Sequence, residues 1–165
     1  MAHFAELESM VDPSGFTSDT QLIVKRVVVV GNDIETAAGP LGENDMHVDG
    51  ETWCQNFFGG TWKQTSYSSS FRKRFAGIGN QYHPTKDKFL VEQPYASWYL
   101  NNEDDWRAPL ETPSITSDGD VHYYYRWDED TYNSDNTLGW IATKSDDVND
   151  PQTIYDWNGS AWVAR

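Results

Sequence analysis

The stretch QLIVKRVVVVG, residues 21–31, indicates the fold class more strongly than any other segment of the chain. Its aliphatic and β-branched residues end at a glycine, as expected of a β-strand, because branched side chains pack well on a pleated surface. Residues 2–8 alternate apolar and polar side chains, and residues 12–15, DPSG, supply turn chemistry between the two segments. The sequence therefore predicts an opening antiparallel hairpin.

A short helix is predicted to follow. Four apolar residues have the spacing of one helix face: Trp53, Cys54, Phe57 and Phe58. Acidic residues stand near the start of this segment, and the glycine pair 59–60 marks its end. We expect the apolar face to pack on the opening strands, with Cys54 buried as a small apolar side chain and not acting as a nucleophile. Residues 34–50 show no sustained periodicity and indicate an irregular loop.

Two more strand signals complete the N-terminal part. Residues 61–67 alternate β-forming and polar side chains, and segments 71–82 and 89–91 flank the turn-like insert 83–88, which predicts another hairpin. Together with the opening hairpin and the helix, these segments predict an α+β unit at residues 1–92.

The C-terminal part, residues 93–165, repeats a plan of aromatic strand, Asx-rich turn and returning tryptophan. Three such hairpins are predicted at residues 95–106, 123–140 and 155–162, the last with an Asn-Gly turn. The spacing between the paired tryptophans varies too much for a true repeat family. The predicted fold class is mainly β, with an α+β unit containing one short helix followed by aromatic-rich hairpins.

The charge of the chain limits its partners. It carries 26 acidic and 12 basic residues, a formal net charge of −14. Residues 95–165 alone hold 14 acidic and four basic residues, a net charge of −10. Because proteins bind phosphate backbones chiefly through Lys and Arg, we expect neither nucleic acid nor an anionic membrane as a partner.

The cysteine content and the lengths of the apolar segments exclude further classes of protein. A single cysteine excludes an intrachain disulfide and a cysteine-rich zinc site. No apolar stretch reaches the length that spans a bilayer, and the first residues lack the basic and apolar segments of a secretory signal. We expect a soluble product that is made and folded in the cytosol.

Six of the eight tryptophans lie in the C-terminal hairpins. Indole rings near carboxylates suit sugar binding, in which a ring stacks on a pyranose while Asp or Asn binds its hydroxyls. Alternatively, facing tryptophans form cross-strand pairs, each stabilising a small sheet by about 0.2–1 kcal/mol, and the pattern favours this structural interpretation. The candidates for exposed contacts with a partner are Trp98, Trp106, Trp127, Trp140, Trp157 and Trp162.

Five basic residues form the predicted cationic patch of this acidic chain: Arg72, Lys73, Arg74, Lys86 and Lys88. The two last lysines are predicted to lie across a turn from the other three residues. Such a group is either a solvated hairpin surface or a docking site for an acidic neighbour, including the acidic C-terminal half of another subunit, since opposite potentials steer association.

No catalytic or metal-binding motif is recognisable in the sequence. The acidic clusters lie in turn-like segments without the apolar pocket that raises a carboxyl pKa for glycoside hydrolysis. Residues 128–135 hold oxygen ligands suited to calcium but lack the glycine and the terminal Glu of an EF-hand loop. The histidines are scattered, without zinc-site spacing: His3, His47, His83 and His122. We predict no enzyme activity, no cofactor and no metal site.

The block FFGGTWKQTSY at residues 57–67, followed by Phe71, Arg72 and the segment FAGIG at 75–79, resembles small proteins encoded by marine bacteriophages, including cyanophages. The opening MAHFAE, the aromatic hairpin beginning at Tyr95 and the closing Tyr-x-Trp hairpin are similar to theirs as well.

The resemblance covers most of residues 1–10, 21–32 and 51–110. It implies a non-enzymatic virion structural protein, most simply a knob-like decoration protein on the capsid exterior. Its implied partners are other virion proteins, such as major capsid or tail proteins, and further copies of itself, and its implied location is the virion. The alternative is a tail accessory, adaptor or fibre component with a surface that binds a host glycan. The loop at 34–50 and the acidic insert at 128–139 depart from the shorter relatives, so no docking contact is implied there.

Overall fold

The computed structural model of the protein describes residues 1–37, 39–42 and 48–165, without the side chain of Val48. The irregular loop predicted at 34–50 lies partly outside these residues, and His47 lies outside them altogether. In its described part the prediction is wrong, because Glu35–Thr36 pairs with Gly39–Pro40 and a helix begins at Val48.

The chain divides into two compact units, Met1–Gln93 and Pro94–Arg165. As predicted, the fold is mainly β, and its strand pairs are antiparallel. Among the residues that the structure describes, no helix is long and apolar enough to cross a membrane.

The first unit contains these elements: β1 Ala2–Val11, β2 Thr20–Val30, β3 Glu35–Thr36, β4 Gly39–Pro40, α1 Val48–Phe58, β5 Thr61–Thr65, β6 Gln81–His83 and β7 Lys88–Leu90. Five strands form one sheet in the order β5-β1-β2-β6-β7, and β3 pairs with β4 in a separate ribbon. The pairing of β1 with β2, and of β6 with β7, confirms the two hairpins predicted for this unit.

The turn of the opening hairpin is organised by the buried carboxylate of Asp12. Its two oxygens accept hydrogen bonds from the backbone N–H groups of Ser14, Phe16 and Thr17, at 2.9, 3.1 and 3.0 Å. A buried charge needs such partners to offset its lost hydration. The turn is therefore held by a side chain, in agreement with the turn chemistry of the sequence.

Helix α1 packs against one face of the sheet. Gly50 permits close approach, because a Cβ atom there would lie 2.4 Å from Cζ of Phe4. The helix stops at Gly59, whose φ is +73° and whose N–H donates to the carbonyl of Gln55. Cys54 is fully buried, as predicted. The core between helix and sheet consists of Ala2, Phe4, Val30, Leu41, Cys54 and Trp62.

The other side of the sheet has its own core. It consists of Ala5, Leu7, Val24, Ala76, Tyr82 and Phe89. Arg72 joins the two edge strands, because its carbonyl accepts from the N–H of Phe89 in β7 at 3.1 Å while its Nη1 donates to the carbonyl of Gln64 in β5 at 2.8 Å. The sheet is therefore curled, and Arg72 forms hydrogen bonds with both of its edge strands.

The second unit contains these elements: β8 Tyr99–Leu100, β9 Trp106–Arg107, β10 Ser117–Asp118, β11 Val121–Trp127, α2 Glu129–Ser134, β12 Trp140–Lys144, β13 Tyr155–Trp157 and β14 Trp162–Ala164. The last five strands form one sheet in the order β10-β11-β12-β13-β14, and β8 pairs with β9. All three predicted hairpins are confirmed.

Two of these hairpins also contain the predicted cross-strand tryptophan pairs. Trp127 lies opposite Trp140, and Trp157 lies opposite Trp162. The first hairpin lacks such a pair, because Leu100 is the residue opposite its second tryptophan. Cross-strand pairing of tryptophans therefore occurs in two of the three hairpins.

Helix α2 corrects the prediction of a single helix. The acidic segment that follows Trp127 indicated only a loop, but Asp128 acts as an N-cap and accepts from the N–H of Thr131 at 2.8 Å. Glu129 and Asp130 occupy the first turn, where negative charge is favourable. The acidic residues that indicated a loop in the sequence therefore stabilise a helix of six residues.

Candidate functional site

Three of the tryptophans predicted to be exposed contacts are buried, so that prediction is wrong for them. Trp127, Trp140 and Trp157 are 2, 7 and 5% exposed. Trp127 and Trp140 meet edge to face with ring centroids 5.2 Å apart, and Gly139 leaves room for them, since a Cβ there would lie 2.4 Å from the Trp127 ring. These indoles are the core of the second unit, which has few aliphatic residues to take their place.

The other three tryptophans are half-buried. Trp98 packs edge to face on Trp127 and Trp140, with centroids 6.3 and 6.2 Å away. The indole N–H of Trp162 donates to the carbonyl of Ile115 at 2.7 Å, and its ring stacks on Tyr123. Trp106 lies in the short ribbon of β8 and β9.

Tyrosines, which the sequence reasoning did not single out, provide the more exposed rings of the second unit. Tyr124 and Tyr125 are 64 and 37% exposed. They are successive residues of β11 and therefore point to opposite faces of the sheet. The ammonium of Lys144 lies 4.8 Å from the ring centroid of Tyr155 and 5.6 Å from that of Tyr123, so a cation accompanies the aromatic face.

The cationic patch is also divided by the structure. Arg72 was predicted as a docking residue, but its side chain is only 6% exposed, so that prediction is wrong. It lies 2.7 Å from Glu51 and 2.8 Å from Asp87. Glu51 also accepts from the backbone N–H of Gln64 at 2.8 Å, and Asp87 accepts from the hydroxyl of Tyr82. Arg72 therefore ties helix α1 to the sheet and is unavailable to a partner.

The pKa values in this network agree with a structural role. Burial alone would lower the pKa of Arg72, but Glu51 and Asp87 outweigh it and raise that pKa. Burial alone would raise the pKa of Asp87, yet the hydrogen bond from Tyr82 and the charge of Arg72 hold it below its usual range. The charged forms of Arg72 and Asp87 are thus both favoured by this network.

The remaining basic residues stay near the surface. Lys73 and Arg74 are half-buried in the loop after Arg72, Lys86 is exposed in the turn between β6 and β7, and Lys88 is half-buried in β7. The Nε atom of Arg74 is buried and has no hydrogen-bond partner in the structure. Of the five basic residues that the sequence predicts as one patch, Arg72 is therefore buried and the other four lie nearer the surface.

An aromatic surface that the sequence reasoning placed in the core lies at the end of helix α1. Phe57 and Phe58 were predicted to pack on the opening strands, but they are 67 and 40% exposed, so that prediction is wrong. Two adjacent side chains of a helix lie about 100° apart, and Cys54 already occupies the buried stripe. The sequence signal that could have predicted their exposure is the position of the two phenylalanines in the last turn of the helix, directly before the glycine that ends it.

We call this surface the helix-end aromatic patch; it comprises Trp53, Phe57, Phe58 and Trp62. Trp53 stacks on Phe57 with centroids 4.9 Å apart, Phe57 meets Phe58 edge to face at 4.7 Å, and Phe58 lies 5.3 Å from Trp62. The guanidinium of Arg26 lies 5.2 Å from the Phe58 ring centroid and forms an ion pair with Glu6. The result is a continuous row of rings held from below by Trp62, which is 3% exposed.

Reactive groups are few on the described surface. Burial raises the pKa of the Cys54 thiol to about 12, so it is protonated at neutral pH. Across residues 1–37, 39–42 and 48–165, no three His, Cys, Asp or Glu side chains are grouped so that they could hold a metal ion. In the acidic segment after Trp127, Asp128 caps α2 and Glu129 accepts from Trp127 and Ser97.

The chain matches no protein family, no curated protein and no solved structure to which it was compared. The resemblance carried by residues 57–67 therefore stays a prediction. Its block contains three of the four residues of the helix-end aromatic patch, namely Phe57, Phe58 and Trp62.

Proposed function

We propose that this chain is a non-enzymatic structural protein of a phage particle, most simply a decoration protein on the capsid exterior. The helix-end aromatic patch is its docking surface for another protein of the particle. The observation that carries the proposal is the exposure of Phe57 and Phe58, 67 and 40%, inside the block that resembles phage proteins.

The patch has the composition of a protein interface. Contiguous exposed apolar surface on a soluble protein marks an interaction site, and aromatic residues and Arg are enriched where binding energy concentrates. Ring stacking between Trp53 and Phe57 keeps the patch rigid before binding, which reduces the entropy lost on docking. Arg26 adds a cation beside Phe58.

The second unit supports an external position. Residues 95–165 carry a net charge of −10, which keeps a surface protein solvated and repels other polyanions. Such a charge suits a part that faces solvent and not one that contacts packaged nucleic acid.

Particle incorporation tests the proposal. Particles of the phage that encodes the chain would be assembled with the wild type, with the double variant Phe57→Ser/Phe58→Ser, or with Phe16→Ser as a control. Phe16 is 38% exposed but lies in the turn between β1 and β2, outside the patch. We expect the double variant to fold and to lose at least about tenfold in incorporation, the loss of one hot-spot contact, while the control is retained.

Electron cryomicroscopy of the same particles gives the position of the chain. Density on the capsid exterior is the expected result. Absence of the chain from purified particles, or equal incorporation of the double variant and the wild type, would contradict the proposal.

The exposed tyrosines favour a second candidate, a tail component that binds a host glycan. Tyr125 is 37% exposed beside Trp162, so part of its ring is open to a pyranose. Density at the tail, together with glycan-array binding that Tyr125→Ala abolishes and Phe16→Ser preserves, would select this function. An empty array with wild-type protein would dismiss it.

A further inference from the structure

We infer that two copies of this chain associate through an unpaired edge of strand β2, with residues 26–30 of one copy antiparallel to the same residues of the other. We call these residues, RVVVV, the free edge segment. Their pairing joins the sheets of two first units across a twofold axis. The inference goes beyond the proposed function and does not rest on it.

Strand β2 is longer than the structure that covers its outer side. It has eleven residues and pairs with β1 from end to end, apart from a bulge at Lys25. On its other side it pairs with β6 only at Leu22 and Ile23, and residues 79–80 bond to the backbone of Val24 at 2.9 and 2.8 Å. Within the described residues, no further strand or loop bonds to the free edge segment on that side.

The hydrogen bonds of β5 show how the backbone groups of β1 are directed. The N–H and the carbonyl of Gln64 in β5 both bond to side chains outside the sheet, so both groups point away from β1. In an antiparallel pair, these directions alternate from one residue to the next. Phe4 lies opposite Gln64 and therefore bonds to β2, whereas its neighbours His3 and Ala5 bond to β5.

The backbone groups of Val27 and Val29 consequently point outward. These two residues lie opposite Ala5 and His3, which already direct their backbone groups to β5. Val27 and Val29 therefore direct theirs to the open side of β2. Each presents one N–H donor and one carbonyl acceptor that have no partner among the described residues. Such an edge is a template for pairing with a strand of another chain.

The outer edges of the same sheet are closed by the chain itself. In β5, Glu51 and Arg72 bond to the N–H and the carbonyl of Gln64, each at 2.8 Å. In β7, the N–H of Phe89 donates to the carbonyl of Arg72 at 3.1 Å. No described residue closes the free edge segment in this way, and its Val29 is 55% exposed. An apolar, β-branched edge is thus left open in a sheet whose other edges are protected.

The free edge segment is complementary to itself, which favours a second copy as the partner. When two copies run antiparallel about Val28, Val27 of each copy lies opposite Val29 of the other. Both donors and both acceptors of each segment then meet their partners. The residues that face each other on either side of the sheet are valines, and β-branched cross-strand pairs stabilise a sheet.

The length of the open side also fits a second copy. Residues 79–80 close it at one end, beside Val24, and the chain turns after Gly31 at the other, where the N–H of Ile34 donates to the carbonyl of Gly31 at 3.3 Å. The open side therefore takes a strand of about five residues. This is the length of the free edge segment itself.

Local charge does not oppose the pairing. Arg26 is the one charged residue of the segment, and it already forms an ion pair with Glu6 of its own copy. In the antiparallel pair it lies opposite Val30 of the other copy. The net charge of −14 makes two copies repel each other at long range, but salt screens this repulsion. Association should therefore strengthen as the salt concentration rises.

Amide hydrogen exchange, resolved by residue with NMR, tests the pairing directly. At about 0.5 mM chain, where dimers with micromolar to submillimolar Kd are populated, the N–H groups of Val27 and Val29 should exchange at least about tenfold more slowly than at about 0.02 mM. The N–H of Val28 points to β1 and is the internal reference, which should change by less than about twofold. Sedimentation velocity should show a dimer and no larger species, because a twofold contact uses both free edges.

Two substitutions at Val29 separate its backbone donor from its side chain. Val29→Pro removes an N–H that the ladder with β1 does not use, at an edge position of the kind where proline is tolerated. It should weaken association at least about tenfold. Val29→Thr keeps both the N–H and the branched shape, and its association should stay within about twofold of the wild type.

Val29→Lys decides the question if Val29→Pro does not fold. A lysine on an edge strand opposes pairing, although it makes this acidic chain less negative overall, so weaker association must then have a local cause. Val163→Lys is the matched control. It makes the same change at a residue of β14 that is 50% exposed, and it should not weaken association.

Three results would overturn the inference: a wild type that stays monomeric at about 0.5 mM, exchange at Val27 and Val29 that does not depend on concentration, or equal association of Val29→Pro and Val29→Thr. Weaker association at about 0.5 M than at about 0.05 M salt would do so as well, since screening should favour the contact. A chain that is found on particles but is monomeric in solution would remove this inference and leave the proposed function standing.

Discussion

The two units of this chain reach a stable β-structure by different means. The first has strands of ten and eleven residues and buries Val, Leu, Ala and Phe on both faces of its sheet. The second has no strand longer than seven residues and centres its core on three indoles. An aromatic side chain buries about 150–250 Å² of surface, so short strands suffice when tryptophans face one another.

Each unit also contains a carboxylate that accepts several hydrogen bonds, and the donors to these two carboxylates differ. In the first unit, Glu51 accepts from the charged groups of Arg72 and Lys63. In the second, Glu129 accepts from neutral donors, the indole N–H of Trp127 at 2.8 Å and the hydroxyl of Ser97 at 2.7 Å. One carboxylate is held by ion pairs and the other by hydrogen bonds, which predicts different responses to mutation and to pH.

Removal of a core indole should have the largest effect. Trp127→Ala is expected to destabilise the second unit by about 3–5 kcal/mol, the range for large aromatic deletions in a core, because Trp127 is 2% exposed and touches Trp98, Trp140 and Tyr132. Hydrogen exchange followed by mass spectrometry should show faster exchange in residues 94–165.

The control for this change is Tyr124→Ala, which removes a ring that is 64% exposed from the same strand. It should alter stability by less than about 0.5 kcal/mol. Equal effects of the two substitutions would mean that the indole cluster is not the core of the second unit.

The substitution of Arg72, which bonds to both edge strands of the first sheet, should have the next largest effect on stability. Arg72→Met is expected to cost about 3 kcal/mol, the lower end of the range for breaking a buried ion pair. Glu51, whose side chain is only 12% exposed, loses its nearest cation and keeps Lys63 at 3.4 Å, while Asp87 is 48% exposed and regains water. Urea titration with hydrogen exchange in residues 1–93 measures the change.

Arg126→Met provides a matched surface control. Arg126 is 65% exposed and lies 3.3 Å from Asp128, and exposed pairs of this kind contribute at most about 1 kcal/mol. A loss in Arg72→Met no larger than this would show that the Arg72 side chain stabilises the first unit no more than a surface ion pair does.

These two sites also show what the sequence could and could not predict. The hairpins and helix α1 follow from local patterns, the run at residues 22–30, the Asn-Gly turn at 158–159 and the glycine stop after Phe58, and each is confirmed. Local pattern determines which elements form because propensity, turn chemistry and hydrophobic period act over a few residues.

The exposure of individual side chains depended on contacts between distant residues and was missed. Arg72 and Arg74 look alike in sequence, yet only Arg72 meets Glu51, which is 21 residues away, and Asp87, which is 15 residues away. Likewise, Trp157 and Trp162 face each other, but only Trp157 is buried. Neither distinction is encoded in spacing or composition.

The smallest expected effect is a difference in pH dependence that centres on Glu129. Burial alone would raise the pKa of Glu129, but the hydrogen bonds from Trp127 and Ser97 outweigh it and lower that pKa below the ordinary 4.5. A carboxyl group whose pKa is lower in the folded state stabilises that state above its unfolded pKa, and the contribution is lost as pH falls through the folded value. Glu129→Gln should therefore cost about 1.5 kcal/mol at pH 7, as for hydrogen bonds to a charged group, and the difference from wild type should shrink as the pH falls below about 4.5.

Urea titrations monitored by tryptophan fluorescence from pH 7 to pH 3 would measure this difference, since six of the eight indoles lie in the second unit. Glu111→Gln makes the same change at an exposed position of that unit and should keep the stability of the wild type within about 0.5 kcal/mol. A constant gap between Glu129→Gln and the wild type over the whole range would mean that the charge of Glu129 does not set its contribution. The contrast between Glu51 and Glu129 would then not be one of charge, because the amide would be the poorer partner of Trp127 and Ser97 whether the carboxyl group is ionised or protonated.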